Sequence, residues 1–317
     1  MRNLHKVNYF CIWSNEMSFD VVVSGLNVVD LLVTLPEKFT AGSKHEVDNI
    51  VIQGGAPAGN GACGLASLGL NTAFLGYLGE NAQSEIARSE LTRCGVDTSL
   101  MLNDANAVPA TALVEVDANT GDRTVFYSTK GYRALCAQDI DSQWLDNSKL
   151  LYVDGYDVEG NIALLSLAKE KGIPSVIDME AGDLTQLKTM LELGSHVILP
   201  LEAAQFIAAK QDPESCLKAL SKMTSAQLVV TDGANGSWAL QQNNIIHQPC
   251  FKVDVVDTTG CGDAYHAAYT FALMQGETLP NMMQFASAFA AIVATYFGGR
   301  TYFPSAAEVN SFIKNDQ

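Results

Sequence analysis

Short β-branched runs alternate with amphipathic helical segments along this chain from Asp20 onward. The strand candidates are residues 20–24, 72–77, 150–154, 175–178, 197–199 and 228–231. Between them, apolar residues recur three and four positions apart in residues 58–68, 82–93, 161–171, 201–210 and 214–223. Because helices that join parallel strands cover the faces of the sheet, this order predicts a three-layer α/β/α fold with a mostly parallel central sheet.

Two regions interrupt the alternation, residues 31–52 and residues 108–128. The second contains strand-like runs at 112–116 and 124–127 around a turn at 119–122. We expect these strands to form a small β-strand lid above the carboxyl ends of the parallel strands, where α/β proteins bind ligands. After Thr231 the sequence predicts hairpin strands at 237–241 and 245–248, then helices at 262–274 and 281–297. We expect one domain over 18–317, with 1–17 as an N-terminal extension or loose tail.

The charge balance limits the classes of partner. The chain carries 35 acidic and 19 basic residues, for a net charge of −16. Such a surface repels nucleic acid and anionic membranes, so we expect neither as a partner. Seven scattered cysteines without a Cys-x-x-Cys pair favour a reduced, cytoplasmic setting. The most apolar window, residues 285–297, is too short to span a bilayer.

A first glycine cluster spans residues 54–64. Within it, Gly59, Gly61 and Gly64 match the G-x-G-x-x-G pattern of a dinucleotide-binding turn, which would make the protein a nicotinamide-dependent oxidoreductase. The alternative is that these small residues pack a helix tightly against the sheet, and their place inside the apolar helical pattern favours it. Gly54 and Gly55 precede the predicted helix, where bare backbone N–H groups suit a polar ligand.

A second glycine cluster, residues 257–264, is followed by an apolar helix. Gly260 and Gly262 allow a tight turn whose N–H groups converge at the helix N-terminus and form an anion hole. Asp263 lies in the first helical turn, where a carboxylate also stabilises the helix by charge alone. Beside an anion hole, it is placed to act as a general base that deprotonates a hydroxyl attacking a phosphoryl group.

These two clusters resemble the signatures of the ribokinase-like carbohydrate kinases, the phosphofructokinase-B family. The resemblance covers residues 18–312, with Asp30 in the position of an acidic sugar ligand and the pattern Thr231-x-Gly233-x-x-Gly236 like the nucleotide loop. Several further segments look closest to the branch that includes sulfofructose kinase and ketose kinases: residues 247–249, 253–260 and 298–300, with His266.

The resemblance implies an ATP- and Mg²⁺-dependent kinase that transfers the γ-phosphate to a sugar hydroxyl. The residues that it places in catalysis are Asp263 as base and the amides of Gly260, Cys261 and Gly262 as anion hole. The residues that it places around the sugar are Asp30, Gly54, Gly55 and Asn60, with Asp154 as a further candidate. The residues that it places around the nucleotide are Thr231, Gly233 and Gly236. Those implied for a monovalent cation such as K⁺ are Asp257, Thr259 and Gly298.

Two departures from the family pattern bear on magnesium and on substrate. Relatives carry Asn-x-x-Glu where a strand meets a helix, but residues 196–206 contain no Asn and only Glu202, which is then the magnesium candidate. Asp178 is a second candidate acting through water, or a plain helix cap. The segment 154–157 offers no basic residue for a sulfonate, which argues for a ketohexose or a related neutral sugar.

Three residues near the second cluster leave alternatives open. Cys261 lies at a helix N-terminus, which tends to lower a thiol pKa, so it is either an oxidation-sensitive thiol or a small residue tolerated for its size. His266 orients the base or packs at the rim of the pocket. Arg300 meets ATP or caps the helix that is predicted to end near Phe297.

The oligomeric state and the exact activity also leave alternatives. Exposed lid strands offer edges for pairing with a second copy, so we expect a homodimer built through the lids. Within the same fold the alternative activities are a nucleoside kinase and a non-catalytic sugar or nucleotide sensor.

Overall fold

The fold is described from a computed structural model, which covers residues 18–36, 40, 42–117, 123–180 and 182–315. The predicted extension at 1–17 and the predicted turn at 119–122 lie outside the described residues. The strands are β1 (Phe19–Ser24), β2 (Val28–Thr34), β3 (Ile50–Gly55), β4 (Thr72–Leu75), β5 (Tyr77–Leu78), β6 (Leu102–Asn103), β7 (Ala110–Val116), β8 (Arg123–Ser128), β9 (Ser148–Asp154), β10 (Ser175–Asp178), β11 (His196–Pro200), β12 (Gln227–Thr231), β13 (Ser237–Gln241) and β14 (Asn244–Gln248). The α-helices are α1 (Pro57–Ser67), α2 (Ala82–Arg93), α3 (Val158–Lys171), α4 (Leu184–Leu193), α5 (Leu201–Ala208), α6 (Pro213–Leu220), α7 (Cys261–Met274), α8 (Leu279–Val293) and α9 (Ala306–Asn315).

Eight strands form the central sheet in the order β14-β13-β12-β11-β10-β9-β1-β4. The six strands from β12 to β4 are parallel, and β13 and β14 extend the sheet as an antiparallel hairpin. The chain leaves β1 toward β4 on one side and later returns to β9 on the other, so the strand order reverses at β1. Ligands of α/β proteins bind at such a switch point, outside the carboxyl ends of the strands.

Helices cover both faces of this sheet, which confirms the predicted three-layer fold. Along β9, Leu150 and Tyr152 pack into one core with residues of α1, α7 and α8. Leu151 and Val153 point the other way, into a core shared with α3, α4, α5 and α6. This strict alternation is what a sheet buried on both faces requires, and it explains the continuous apolar runs of the parallel strands.

A second, four-stranded sheet forms the lid, with the order β3-β2-β7-β8. The lid begins at Val28 and not at 31, and β3 continues to Gly55 and not to 52, so both lid boundaries at this end were predicted too short. Gly54 and Gly55 pair with Val29 and Val28, which makes the first glycine pair part of the lid.

The element bounds agree closely with the sequence pattern where periodicity is strong. The strand at 175–178 and the helix at 82–93 have the predicted limits. The last predicted helix, 281–297, instead runs from Leu279 to Val293. Helices α4 and α9 had no counterpart in the prediction. Across the described ranges, none of the helices has both the length and the apolar character needed to cross a membrane.

Candidate active site

The second glycine cluster forms the turn into α7. Gly260 is the N-cap of this helix, with φ of 74°, and no side chain caps the helix end. A Cβ at Gly260 would lie 2.9 Å from the Cα of Gly299, so both the backbone angle and the close approach require glycine. The amide of Cys261 donates to the carbonyl of Thr258 at 3.3 Å. The next two amides, of Gly262 and Asp263, stand at the positively polarised end of the helix, where N–H groups lack intrahelical acceptors.

The carboxylate of Asp263 is held by the first glycine cluster. Asn60 Nδ2 donates to Asp263 Oδ2 at 2.6 Å, and Asn60 Oδ1 accepts from Arg300 Nε at 2.6 Å. Arg300 Nη2 also donates to the carbonyl of Gly55 at 2.7 Å. Asp263 is 8% exposed and Arg300 1% exposed. Arg300 therefore neither faces the nucleotide nor caps α8, so both alternatives from the sequence were wrong, because its side chain runs inward beneath the lid.

A small cavity of about 180 Å³ lies between the lid and the central sheet. Asp30, Asn60, Thr259, Gly260 and Asp263 line it on the polar side. Its apolar side is formed by lid residues and by the residues after β1, among them Leu26, Val28, Ala112, Val114 and Val125. Burial raises the pKa of Asp30 to about 6, against the opposing charge of Arg300. The cavity thus presents several oxygen acceptors to a polar ligand and an apolar wall to its face.

A larger cavity of about 730 Å³ opens on the other side of the turn. Thr231, Gly233 and Gly236 line it, as the nucleotide-loop resemblance implied, together with Cys261 and Gly262. Its volume falls in the range typical of small-molecule sites. Apolar side chains such as Phe251, Val253 and Ala291 form much of the wall, which suits a flat aromatic ring.

Asp257 ties the turn to the loop after α8. Its Oδ1 accepts from the amide of Thr259 at 2.7 Å, and its Oδ2 accepts from the amide of Gly298 at 2.8 Å. The hydroxyl of Thr259 is buried and has no hydrogen-bond partner among the described residues. The three residues implied for a monovalent cation are therefore brought together.

Three of the residues implied for the sugar do not line the small cavity: Gly54, Gly55 and Asp154. A Cβ at Gly54 would overlap the guanidinium of Arg300, and one at Gly55 would overlap the carboxylate of Asp30. The two glycines make room for side chains that serve the site.

Asp154 is fully buried beneath the cavity. It accepts hydrogen bonds from the amides of Leu26, Ala58 and Tyr156 at 2.8, 3.2 and 2.9 Å. Burial raises its pKa to about 8. The structure thus places Asp154 as a backbone anchor between β9, α1 and the loop after β1.

The G-x-G-x-x-G match has a structural explanation. Gly59, Gly61 and Gly64 all lie inside α1, and none of them lines either cavity. A Cβ at Gly61 would lie 2.8 Å from the Tyr152 ring, and one at Gly64 would lie 2.7 Å from the Cβ of Ala267. Their role is close helix packing, and the dinucleotide-binding interpretation was wrong.

Two acidic residues lie at the end of β10, Asp178 buried and Glu180 half-buried. Asp178 accepts from the Tyr152 hydroxyl at 3.2 Å and lies 3.3 Å from His266 Nε2. Glu180, two residues later, lines the small cavity, and burial together with the charges of Asp178 and Asp263 raises its pKa to about 8. Burial likewise raises the pKa of Asp178 well above its usual value.

The magnesium candidate from the sequence lies apart from this group. Glu202 is exposed at the start of α5 and lines neither cavity. The described part of the chain has no group of three or more His, Cys, Asp or Glu side chains that could hold a metal ion. Magnesium at kinase sites is held by one or two carboxylates together with substrate phosphates, so a protein cage is not required. Glu180 was missed because a single Glu after a strand carries no motif.

Arg123 is the second functional candidate that sequence reasoning missed. It begins β8 of the lid and lines both cavities, and its Nη1 donates to the carbonyl of Thr258 at 3.3 Å. Its charge lowers the pKa of Asp30 and of Glu180 against the larger effect of burial. A lone arginine in a strand gives no sequence signal, because its meaning depends on where the lid folds.

Two side chains near α7 differ from expectation. Burial raises the pKa of Cys261 to about 12, so the expected lowering at the helix N-terminus was wrong: the cost of burying the thiolate exceeds the effect of the helix. His266 is buried, with Nδ1 2.7 Å from the carbonyl of Gly262, and it lines neither cavity. It braces the first turn of α7 from behind.

Comparisons with known proteins agree with this geometry. Residues 19–306 match the model of the pfkB family carbohydrate kinases. The 5-dehydro-2-deoxygluconokinase of Shouchella clausii is 24% identical over 316 residues, covering 93% of this chain and 96% of that protein.

Solved structures show the same fold. Arabidopsis thaliana ribokinase, complexed with ribose and ATP, superposes with a TM-score of 0.80 at 22% identity and covers 94% of this chain and 99% of its own. The nucleoside kinase of Methanocaldococcus jannaschii superposes with a TM-score of 0.75 at 18% identity, covering 93% of this chain and 98% of its own. With the family model spanning nearly the whole described chain, this protein belongs to the pfkB family of carbohydrate kinases.

Proposed function

We propose that the protein transfers the γ-phosphoryl group of ATP to a hydroxyl of a neutral sugar, with Asp263 as the general base. The observation that carries this proposal is that one turn separates the two cavities. Thr259, Gly260 and Asp263 face the small cavity, while Cys261 and Gly262 face the large one. A sugar on one side and a nucleotide on the other would meet at the amides of this turn.

The chemistry then follows from the residues at the junction. A sugar hydroxyl beside Asp263 would lose its proton to the carboxylate as its oxygen attacks the phosphorus, and ADP would leave into the large cavity. The N-terminus of α7, with the amides of Gly262 and Asp263, would stabilise the negative charge on the oxygens of the γ-phosphoryl group during transfer. Arg123, which reaches both cavities from the lid, would add a positive charge at the same place. Closure of the lid would exclude water from the reaction.

The charges of the small cavity favour a neutral sugar over a sugar acid. Asp30, Glu180 and Asp263 line this cavity, and Arg123 is the one basic side chain among its lining residues in the described part of the chain. A carboxylate on the substrate would meet three acidic groups. The named activity of the Shouchella relative concerns a gluconate derivative, so a substrate panel must include that acid.

Two cations fit the residues present. Glu180 offers carboxylate oxygens near the junction for Mg²⁺, which would neutralise phosphate charge when bound. The unpaired Thr259 hydroxyl and the backbone around Asp257 and Gly298 offer oxygen donors of the kind that K⁺ accepts. The described cysteines are free thiols, which supports a reducing, cytoplasmic setting.

We also propose that a second copy of this chain covers the outer face of the lid. Strand register aligns Ile52, Leu31, Leu113 and Phe126 in one row across all four lid strands. Ile52, Leu113 and Phe126 are 54%, 45% and 62% exposed. Strand β8 lies at the sheet edge with every residue exposed. An apolar row beside an open strand edge suits pairing with an identical sheet.

The test is ADP release with Mg²⁺ and ATP across a panel of ketohexoses, ribose, nucleosides and 5-dehydro-2-deoxygluconate. The proposal predicts the highest kcat/KM for a neutral sugar. A preference for a nucleoside would instead support the alternative that the resemblance to the Methanocaldococcus enzyme raises. If no compound supports ADP release while sugar or ATP still raises the melting temperature, the chain is a sensor and the proposal is wrong.

A further inference from the structure

We propose that Arg300 is a positioning residue: it fixes the side-chain amide of Asn60, and through that amide it sets the carboxylate of Asp263. This inference rests on the proposed role of Asp263 as general base. It assigns a purpose to a buried arginine that contacts neither cavity.

The burial of Arg300 demands an explanation. Its side chain is 1% exposed, and Nη1 has no hydrogen-bond partner among the described residues. Desolvating a guanidinium is unfavourable, so its burial is maintained where the surrounding structure accommodates it. The surroundings of Arg300 provide this space, because a Cβ at Gly54 would overlap Nη1 and a Cβ at Gly59 would overlap Nη2. Two glycines of the first cluster thus leave the space that the guanidinium fills.

The hydrogen bonds of Arg300 fix the orientation of its guanidinium. Nε donates to Asn60 Oδ1 at 2.6 Å, and Nη2 donates to the Gly55 carbonyl at 2.7 Å, within 3.5 Å of Asn27 Oδ1. The guanidinium is therefore fixed from the lid and from α1 at once. A lysine, with one nitrogen, cannot make both bonds in the same geometry.

The side-chain amide of Asn60 connects Arg300 to Asp263. An asparagine side chain has one accepting and one donating end. Because the guanidinium is a donor only, it holds Oδ1, and Nδ2 must then face Asp263 Oδ2, at 2.6 Å. The flipped amide would place its oxygen against a carboxylate oxygen, which is repulsive. Arg300 thus selects the one amide orientation that orients the Asp263 carboxylate and stabilises its charge.

The test is a double-mutant cycle with Arg300→Met, Asn60→Ala and the double variant, each checked for folding by circular dichroism and melting temperature. Each single change is expected to lower kcat about 10- to 100-fold, the range for a misplaced catalytic group, with KM for ATP within about twofold. The double variant is expected to match Asn60→Ala within about twofold, because Arg300 acts through Asn60.

Losses that multiply in the double variant, or an unchanged kcat in Arg300→Met, would overturn the proposal. If Arg300→Met does not fold, Arg300→Lys keeps the charge and stem, and it is expected to show the same kcat loss and the same non-additivity with Asn60→Ala. The matched control is Arg93→Met. This neighbouring arginine pairs with Glu90 and reaches Arg300 only at its backbone carbonyl, so its loss should leave kcat unchanged.

A second readout separates this inference from the proposed function. In ¹⁵N-labelled protein, the Asn60 side-chain amide is assigned by its loss in Asn60→Ala. In the unmodified chain its protons should exchange slowly, and in the Arg300 variant they should exchange faster at a shifted frequency. An unchanged amide signal would overturn the role of Arg300 even in an active kinase, and a protected amide in a chain without kinase activity would leave only the proposed function wrong.

Discussion

Asn60 Nδ2 lies 2.6 Å from Asp263 Oδ2, a hydrogen bond that joins positions 203 residues apart. It connects the first glycine cluster, at the start of α1, to the second, at the start of α7. The two helices also pack through Gly64 and Ala267. The position of the Asp263 carboxylate therefore depends on how closely α1 packs against α7.

Gly59→Ala should place a methyl group against the guanidinium of Arg300. Overpacking of a filled core costs about 1–3 kcal/mol of unfolding free energy, and displacement of Arg300 should also lower kcat. Urea denaturation and steady-state kinetics measure the two effects. Ser67→Ala, at the last position of the same helix, is the control and should change little. Wild-type kcat in a Gly59→Ala variant of reduced stability would show that the packing does not reach the base.

Arg123→Gln should lower kcat about 10- to 100-fold, since it removes a positive charge from the place where the phosphoryl group would be transferred. Because Arg123 lines both cavities, the KM for the sugar and the KM for ATP should also rise. Lys130→Gln, an exposed change shortly after the same strand, is the matched control. If Arg123→Gln and Lys130→Gln lower kcat equally, Arg123 contributes only through the net charge of the lid.

Stability should fall as pH rises from 6.5 to 8. Burial raises the pKa of Asp154 and of Glu180 to about 8, so between their ordinary values and pH 8 the folded state holds more protons than the unfolded state. The free energy of unfolding then decreases with pH, by at most about 1.4 kcal/mol per pH unit for each group. Below pH 6.5 the lowered pKa of His196, about 4 because of burial, acts in the opposite direction.

Melting temperatures at pH 6.5, 7.2 and 8 measure this slope. Glu180→Gln should make it shallower, and Glu202→Gln, at an exposed position, should leave it unchanged. A melting temperature that rises across this window would contradict the assignment of protonated buried carboxyls.

Phe126→Lys should produce a monomer if the lids pair. The change places a charge in the middle of the apolar row, where it would be buried without a partner. Sedimentation equilibrium measures the mass. Phe206→Lys is the matched control, because Phe206 is 58% exposed on α5, away from the lid. A wild-type chain that sediments as a monomer would remove the basis of the proposed lid interface.

The sequence pattern alone predicted the parallel strands, whose apolar runs are buried on both faces, and most helices, which each bury one continuous face. The strand at 175–178 shows this, because Val176 and Ile177 form a short β-branched run that Ser175 and Asp178 bound. The lid was placed correctly but its edges were not. Gly54 and Gly55 look like loop residues locally, and only pairing with β2 makes them strand.

The site was harder to predict than the fold, for a physical reason. The glycine clusters indicated that the backbone makes close contacts at these positions. They did not indicate which residues make those contacts. Arg300 meets Asn60 across 240 residues of sequence. Glu180 and Arg123 acquire meaning only when β10 and the lid are brought around one cavity. The thiol pKa of Cys261 depends on burial, which outweighs the helix end that the sequence shows.

The most direct test of the central claim compares the unmodified chain with Asp263→Asn in sugar-dependent ADP release. The variant should lose about two to four orders of magnitude in kcat, the range for removal of a general base. Its affinity for ATP should stay within a few fold of the unmodified chain, because the nucleotide cavity is untouched. A variant that turns over at a near-normal rate would contradict the assignment of Asp263 as the base that deprotonates the sugar.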